Sequence, residues 1–308
     1  MSSQERALRF DREHARQLRA LAYRMLGSRA EAEDVVQDAW IRWADIDESK
    51  VQHAGAFLSR MVTNLCLDQL RASATRREQY VGVWLPEPML DEDSGWAPSP
   101  ESQAEFAQDV SMAFMLALQR LSPLERAAFL LRDVFDVDFD DIAHRLDRSP
   151  EACRQLVSRA RQHVKADYAR CELQADEQSR LLDAFNDAVR SLNVDALAKA
   201  LTADAVMLAD GGGRVSAVPR PLQGGSLIAK ALIGFAKLPD SRAWELRAVR
   251  LNGMAACLVV NAANGELVQA ITLTPSATEP GRIGAIYIQR NPEKLGHIAA
   301  RFGLNTAP

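Results

Sequence analysis

Apolar residues recur at helical spacing through the first half of the chain and give way to strand-like runs in its last third. From Asp11 to about Glu78 the pattern is helical. Ser28 to Glu31 fits a capping box ahead of "AEDVVQDAWIRW", where Val35, Val36, Ala39, Trp40 and Trp43 share one face. A second long helix runs through "AGAFLSRMVTNLCLDQLRASATRRE", and Phe57, Met61, Leu65 and Leu70 form its expected apolar line. Later, "SPLERAAFLLRDVF" opens with Ser122 as N-cap, Pro123 at the first helical position and Glu125 three residues past the cap.

Beyond about Gln174 helices continue to roughly Leu201, and the period then changes. "AVMLADGGGR" precedes a helix near 225–237, and "AWELRAVRL", "MAACLVVNA", "ELVQAITLT" and "RIGAIYIQR" follow as strand-like runs parted by the turn signals "NG", "NG" and "EPGR". The expected fold class is multidomain: an all-α front half, then an α+β domain with a mainly antiparallel sheet. The boundaries fall at 1–80, 81–110, 111–172 and 173–308, the second piece being an acidic, proline-containing linker. That linker begins with Trp84, Leu85 and Pro86, apolar groups that a solvated tether has no use for. They read as a hydrophobic plug, seated either on the domain after residue 173 or back on the first domain.

At 308 residues and 47% hydrophobic content the chain can fill several cores. No stretch approaches the roughly 20 apolar residues of a membrane span, and "MSSQERALRF" lacks a signal-peptide block, so a cytoplasmic protein without membrane contact is expected. Cys66, Cys153, Cys171 and Cys257 are far apart and read as buried, reduced thiols, with no metal or cofactor called for. The net charge of −4 is concentrated: residues 81–110 hold seven acids and no base, while the segments around them are near neutral. Any DNA-binding surface must therefore come from arranging charges on faces.

Such a face occurs in "FDDIAHRLDRSPEACRQLVSRARQHVK", Phe139 to Lys165. A short helix with Ile142, Ala143 and Leu146, a three-residue turn and a longer helix capped by Ser149 with Pro150 at its start propose a helix-turn-helix. On the longer helix Cys153, Leu156, Val157, Ala160 and Val164 share one side, and Arg154, Gln155, Ser158, Arg159, Arg161, Gln162 and Lys165 cover the other. Guanidinium forks and amides are what a major-groove reader needs. A solvated basic face on an ordinary helical hairpin is the competing reading. The helix with Asn64, Asp68 and Arg71 gathers Arg71, Arg76 and Arg77 near one end, whereas Glu31, Glu33, Asp34 and Asp38 make an acidic face suited to a basic protein partner.

Taken in order, "AEDVVQDAWIRW", "AFLSRMVTNLCLDQLRA" and "LSPLERAAFLLRDVFDVDFDDIAHRLDRSPEACRQLVSRARQHV" closely resemble bacterial sigma factors of the extracytoplasmic-function class, the first two their domain two and the third their domain four. "WLPEP" at 84–88, "DGGGR" at 210–214 and "NPEKL" at 291–295 are similar to signature segments of the subgroup with a C-terminal SnoaL-like domain, a cone-shaped fold related to nuclear transport factor. Glu293 stands where that subgroup usually has Asp. The resemblance implies two partners, core RNA polymerase and promoter DNA. Asp34, Gln37, Asp38 and Trp40 would lie at the polymerase beta-prime clamp. Asn64, Asp68 and Arg71, with Arg76 and Arg77, would meet the minus-ten element. Arg154, Gln155, Ser158 and Arg159, with Arg161 and Lys165, would meet the minus-thirty-five element. An intramolecular regulatory set would comprise Trp84, Leu85, Pro86, Asp210, Gly211, Gly212, Gly213, Arg214, Asn291, Pro292, Lys294 and Leu295.

Enzymatic alternatives find little support in the residues. "ADGGGR" lacks the GK[ST] ending of a phosphate loop and leads into a strand-like run, so a tight turn using Gly211 to Gly213 for positive φ angles accounts for it better. Asp204, Asp210, Tyr287 and His297 supply no convincing acid–base pair for chemistry in a cone-shaped cavity, and the expected protein is not an enzyme. An apolar cavity holding an unnamed small ligand stays open. So does a second functional class, a one-component ligand-sensing regulator whose helix-turn-helix binds an operator as a dimer.

Overall fold

The computed structural model describes residues 3–78, 80–91, 96, 110–167 and 175–307. The chain forms two compact units, Met1–Glu78 with Glu92–Tyr168, and Gln79–Asp91 with Ala169–Pro308. No helix among the described residues is long and apolar enough to cross a membrane.

In the first unit α1 (Ser3–Phe10) passes through a π-helical turn into α2 (Arg16–Leu26). Gly27, at φ 74°, ends α2 with its N–H on the Tyr23 carbonyl. Ser28 caps α3 (Arg29–Ala44) by accepting from the Glu31 N–H, and α4 (Ala54–Glu78) completes the first helical group. The buried line of α4 corrects the expected one. Leu58, Val62, Cys66 and Leu70 are buried, whereas Met61 and Leu65 are half-buried and Phe57 is 38% exposed with its ring against Trp43. Two adjacent i, i+4 rows of α4 are apolar, so spacing alone permits either, and packing on α2 and α3 selects the row Leu58–Val62–Cys66–Leu70, with Leu67 buried beside it.

The second helical group contains α5 (Met112–Gln119), α6 (Pro123–Phe129), α7 (Phe139–Leu146) and α8 (Pro150–Asp167). Ser122 and Glu125 form a reciprocal capping box at α6. Ser122→Ala should lower the unfolding free energy of this unit by about 1 kcal/mol, read as a lower midpoint in thermal unfolding. The two helical groups pack on each other. Buried Arg126 donates to the Met25 carbonyl at 2.5 Å, Arg145 donates to Ser59 Oγ at 3.0 Å, and Arg60 lies 3.3 Å from His144. Trp96 also belongs here, 4% exposed, edge-on to Tyr23 and beneath the Arg29 guanidinium.

The second unit is built on a seven-stranded sheet in the order β2-β1-β6-β5-β4-β3, with β7 beside β5. The strands are β1 (Leu201–Asp210), β2 (Leu222–Gln223), β3 (Trp244–Leu251), β4 (Met254–Asn261), β5 (Glu266–Pro275), β6 (Ile283–Gln289) and β7 (Asn305–Thr306). β1–β6 and β5–β7 are parallel and the other pairs antiparallel. The helices are α9 (Ala175–Arg190), α10 (Val194–Ala200), α11 (Gly225–Ala236) and α12 (Pro292–Arg301). Strand alternation separates two cores. Ala255, Cys257 and Val259 join Phe185, Leu197 and Ile228 from the α9–α11 side, while Ala256, Leu258 and Val260 join Leu295 and Ile298 of α12 on the other. Cys66, Cys153 and Cys257 are buried free thiols, Cys257 pushed up to about 12 by burial, and Cys171 lies outside the described residues.

Candidate functional site

The α7–α8 pair ends and restarts sharply. Asp147, at φ 55°, closes α7, and Ser149 Oγ accepts from the Ala152 N–H at the start of α8. Cys153, Leu156, Val157, Ala160 and Val164 are buried, and Arg154, Gln155, Ser158, Arg159, Arg161, Gln162 and Lys165 are exposed on the opposite side. The arginines rest on acids: Arg154 on Glu151 at 3.3 Å, Arg159 on Glu125 at 3.0 Å, and Arg161 on both oxygens of Asp133 at 2.8 and 2.7 Å. Burial alone would raise the Glu125 carboxyl, but the Ser122 hydroxyl and amide together with Arg159 hold it below the usual carboxylate range. Exposed pairs of this kind are worth about 0–1 kcal/mol, so phosphate or base edges can displace them.

On α3, Asp34, Gln37 and Asp38 are exposed together, and Trp40 is half-buried with its ring 5.2 Å from Phe10. On α4, Asn64, Asp68 and Arg71 lie exposed along one side, with Arg71 3.1 Å from Asp68. The side chains of Arg76 and Arg77 lie outside the described residues.

Three separated sequence segments meet in the second unit. β1 delivers Asp210, fully buried, at its C-terminal end. The turn behind it needs glycine for two reasons. Gly212 has φ +64°, and a Cβ there would lie 2.4 Å from Asn291. Gly211 lacks a positive φ, contrary to the expected use of all three glycines, but its Cβ would lie 2.3 Å from the Val215 carbonyl. Asn291 caps α12 by accepting from the Glu293 N–H, which brings Lys294 of the first turn to Asp210.

Residues 80–91 are held in this arrangement. Asp210 Oδ1 accepts from the Tyr80 hydroxyl at 2.6 Å and the Gly212 N–H at 2.9 Å. Its Oδ2 accepts from the Leu85 N–H at 2.9 Å, Lys294 Nζ at 2.7 Å and Gln289 Nε2 at 3.4 Å. Lys294 Nζ also donates to the Leu85 carbonyl at 2.6 Å and stands 4.2 Å from the centre of the Trp84 ring. The Leu85 backbone is thus gripped at both polar groups while its side chain is fully buried. Asn291 Nδ2 donates to the Tyr80 oxygen at 3.1 Å. Burial, reinforced by Asp210, pushes the Tyr80 phenol well above its ordinary value and keeps its proton in place. Further along, Met89 and Asn252 exchange hydrogen bonds, Leu90 bridges Leu251, and Asp91 accepts from the Gly253 N–H and pairs with Arg250.

The set Trp84, Leu85, Pro86, Asp210, Gly211, Gly212, Gly213, Asn291, Pro292 and Lys294 therefore converges. Arg214 lies on the exposed rim, 2.7 Å from Glu293, and Leu295 serves the core beside Leu90. Tyr80, Gln289, Asn252 and the buried Glu87, 3.3 Å from His297, were not among the expected residues. Nothing local marks them, because their partners lie 79 to 211 positions away. Asp204 is exposed, and the phenol at Asp210 is Tyr80 rather than Tyr287, so the carboxylate is occupied by structural donors.

Comparison with known proteins agrees with this layout. Residues 10–76 match the family described as Sigma-70 region 2, and residues 111–164 the family described as Sigma-70, region 4. The ECF RNA polymerase sigma factor SigJ of Mycobacterium tuberculosis (strain ATCC 25618 / H37Rv) is 31% identical over 282 residues, which cover 90% of this chain and 89% of that protein. The probable ECF RNA polymerase sigma factor SigI of Mycobacterium tuberculosis (strain CDC 1551 / Oshkosh) is 26% identical over 298 residues, 95% of this chain and 96% of that one. The crystal structure of SigJ superposes with a TM-score of 0.72 at 28% identity, over 96% of this chain and 98% of the other.

Proposed function

Because the chain belongs to the extracytoplasmic-function RNA polymerase sigma factors, we propose that its C-terminal domain governs the sigma module in cis by holding residues 80–91. As a sigma factor the chain binds core RNA polymerase and promoter DNA and directs transcription initiation, a non-enzymatic role. A one-component operator-binding regulator has no use for the region 2 match at residues 10–76.

Asp34, Gln37 and Asp38, above Trp40, dock on the polymerase beta-prime clamp. Asn64, Asp68 and Arg71, with Arg76 and Arg77, serve the minus-ten element, and Arg154, Gln155, Ser158, Arg159, Arg161 and Lys165 the minus-thirty-five element. The α+β domain is of the SnoaL-like kind, a reading supported by three helices covering one face of its mixed sheet.

The observation that carries the proposal is the double grip of Asp210 and Lys294 on the Leu85 backbone. Distance gives that grip a consequence. The two promoter elements are about 25 base pairs apart, roughly 85 Å along B-form DNA. A compact unit of this size has a radius of gyration of roughly 15 Å, so its α4 and α8 faces reach both elements only after the helical groups separate. The linker between those groups has a contour of about 100 Å, and holding residues 80–91 fixes about 40 Å of it on the C-terminal domain. A covalently tethered contact acts at millimolar effective concentration, so modest contacts suffice.

Leu85→Asp, which places a charge in the buried socket, should free the segment and raise promoter output several-fold in transcription with purified core polymerase. Output equal to wild type would overturn control by the clamp. A fall would overturn its restraining sign.

A further inference from the structure

Between the sheet and α9–α11 the C-terminal domain encloses a cavity of about 1040 Å³. Its walls are mostly apolar, with Phe185, Met207, Leu232, Trp244, Val259 and Ile271 among them. Space on this scale, left unfilled beside a packed core, is the size of a small-molecule site. Three large apolar side chains of the lining are also exposed, Leu192 at 40%, Phe235 at 44% and Leu238 at 51%. They form an apolar rim of the kind that marks ligand entry.

The polar groups are unequal. Arg190, Asp240 and Glu245 also line the cavity, and Glu245 lies 3.7 Å from Arg247. Arg290 differs from them. Its Nη1 donates to the Ser216 carbonyl, its Nε is buried with no hydrogen-bond partner, and among the described residues no carboxylate is in ion-pair contact with it. Burial pushes it below the usual arginine value, with Glu266 as the opposing charge. A half-buried guanidinium that lines an apolar cavity with no carboxylate in ion-pair contact among the described residues calls for an anion from outside the chain.

We propose that this cavity binds an amphipathic carboxylate of fatty-acid type, its apolar body along the α9–α11 wall and its carboxylate on the Arg290 guanidinium where that side chain lines the cavity. The same two strands serve this site and the linker clamp. Met207 and Ala209 of β1 and Ile288 of β6 face the cavity, while Asp210 and Gln289 face residues 80–91. Ligand occupancy therefore shifts the hold on the linker. That consequence rests on the cis-control reading above, and the binding itself does not.

The test is calorimetric titration of the full chain with dodecanoate below its micelle concentration and with dodecanol below its aqueous solubility. Saturable one-to-one binding of dodecanoate is expected, with dodecanol at least tenfold weaker. Arg290→Met should bring the two to parity. Ala236→Trp, which fills the half-exposed rim on α11, should abolish both with the thermal midpoint unchanged. Absence of saturable dodecanoate binding, or a carboxylate preference that survives Arg290→Met, would overturn the site. Binding as expected with promoter output indifferent to dodecanoate would leave the site standing and overturn only its coupling to the clamp.

Discussion

Asp210→Ala should release residues 80–91 and destabilise the C-terminal domain by about 3–5 kcal/mol, because it removes one partner of a buried ion pair and strands the other. The carboxylate is fully buried and accepts from Tyr80, Leu85, Gly212, Gln289 and Lys294, whose own side chain is only 12% exposed. Removing the acceptor leaves an ammonium and two main-chain N–H groups, those of Leu85 and Gly212, to be desolvated without return. Lys294→Met should cost less, since the neutral donors around Asp210 remain. Tyr80→Phe should cost about 1 kcal/mol, the worth of one hydrogen bond. Thermal unfolding measures the order, and limited proteolysis mapped to residues 80–91 measures the release. A protease-resistant segment in Asp210→Ala would remove the clamp from the account.

The same site has a pH signature. A phenol whose folded pKa is raised contributes stability that is complete below its ordinary value of 10.0 and is lost as pH rises beyond it. Alkaline titration should therefore loosen the clamp from about pH 10 upward, and Tyr80→Phe should flatten that dependence.

How far this site could be read before folding follows from the range of the interactions. The α8 face was legible because a helix's period converts sequence directly into sidedness, and Cys153, Leu156, Val157, Ala160 and Val164 are all buried. The α4 face was less so. Its rows Phe57–Met61–Leu65 and Leu58–Val62–Cys66 are equally apolar, and only the neighbours α2 and α3 decide between them. The strands β3 to β6 were visible through alternation and "NG" turns, and Asn252 and Gly253 adopt φ of 53° and 74° as such a turn requires. The linker's apolar Trp84 and Leu85 announced a contact, and the family resemblance pointed to "DGGGR" and "NPEKL" as its place, where Asp210 and Lys294 hold Leu85. Tyr80 lies just past the helical run that ends near Glu78 and Gln289 lies inside the strand-like run "RIGAIYIQR", and each gains its meaning from Asp210. Arg290 carried no local signal either, since a missing counter-ion is a property of the folded surroundings.

The double replacement Arg154→Ala with Arg159→Ala should lower transcription from a promoter that depends on its minus-thirty-five element by about 30-fold or more. A base contact by arginine is worth about 1–3 kcal/mol, and two such losses at separate base pairs add. Little of the loss can come from folding. Arg154 and Arg159 have side chains 54% and 58% exposed, and ion pairs at that exposure with Glu151 and Glu125 contribute about 0–1 kcal/mol. Arg161→Ala should act more weakly, because its guanidinium is engaged by both oxygens of Asp133 and must leave them before it meets DNA. Base-reading contacts are separated from phosphate contacts by salt and sequence. A base contact relaxes preference at one promoter position, whereas a phosphate contact weakens all sequences alike and lowers the salt slope by about one. Lys165, the last exposed cation of α8, should show the second behaviour and Arg154 the first. If the double variant transcribed the same promoter at wild-type rate with purified core polymerase, the exposed side of α8 would be a solvated basic face, and the reader would lie elsewhere in the helical unit.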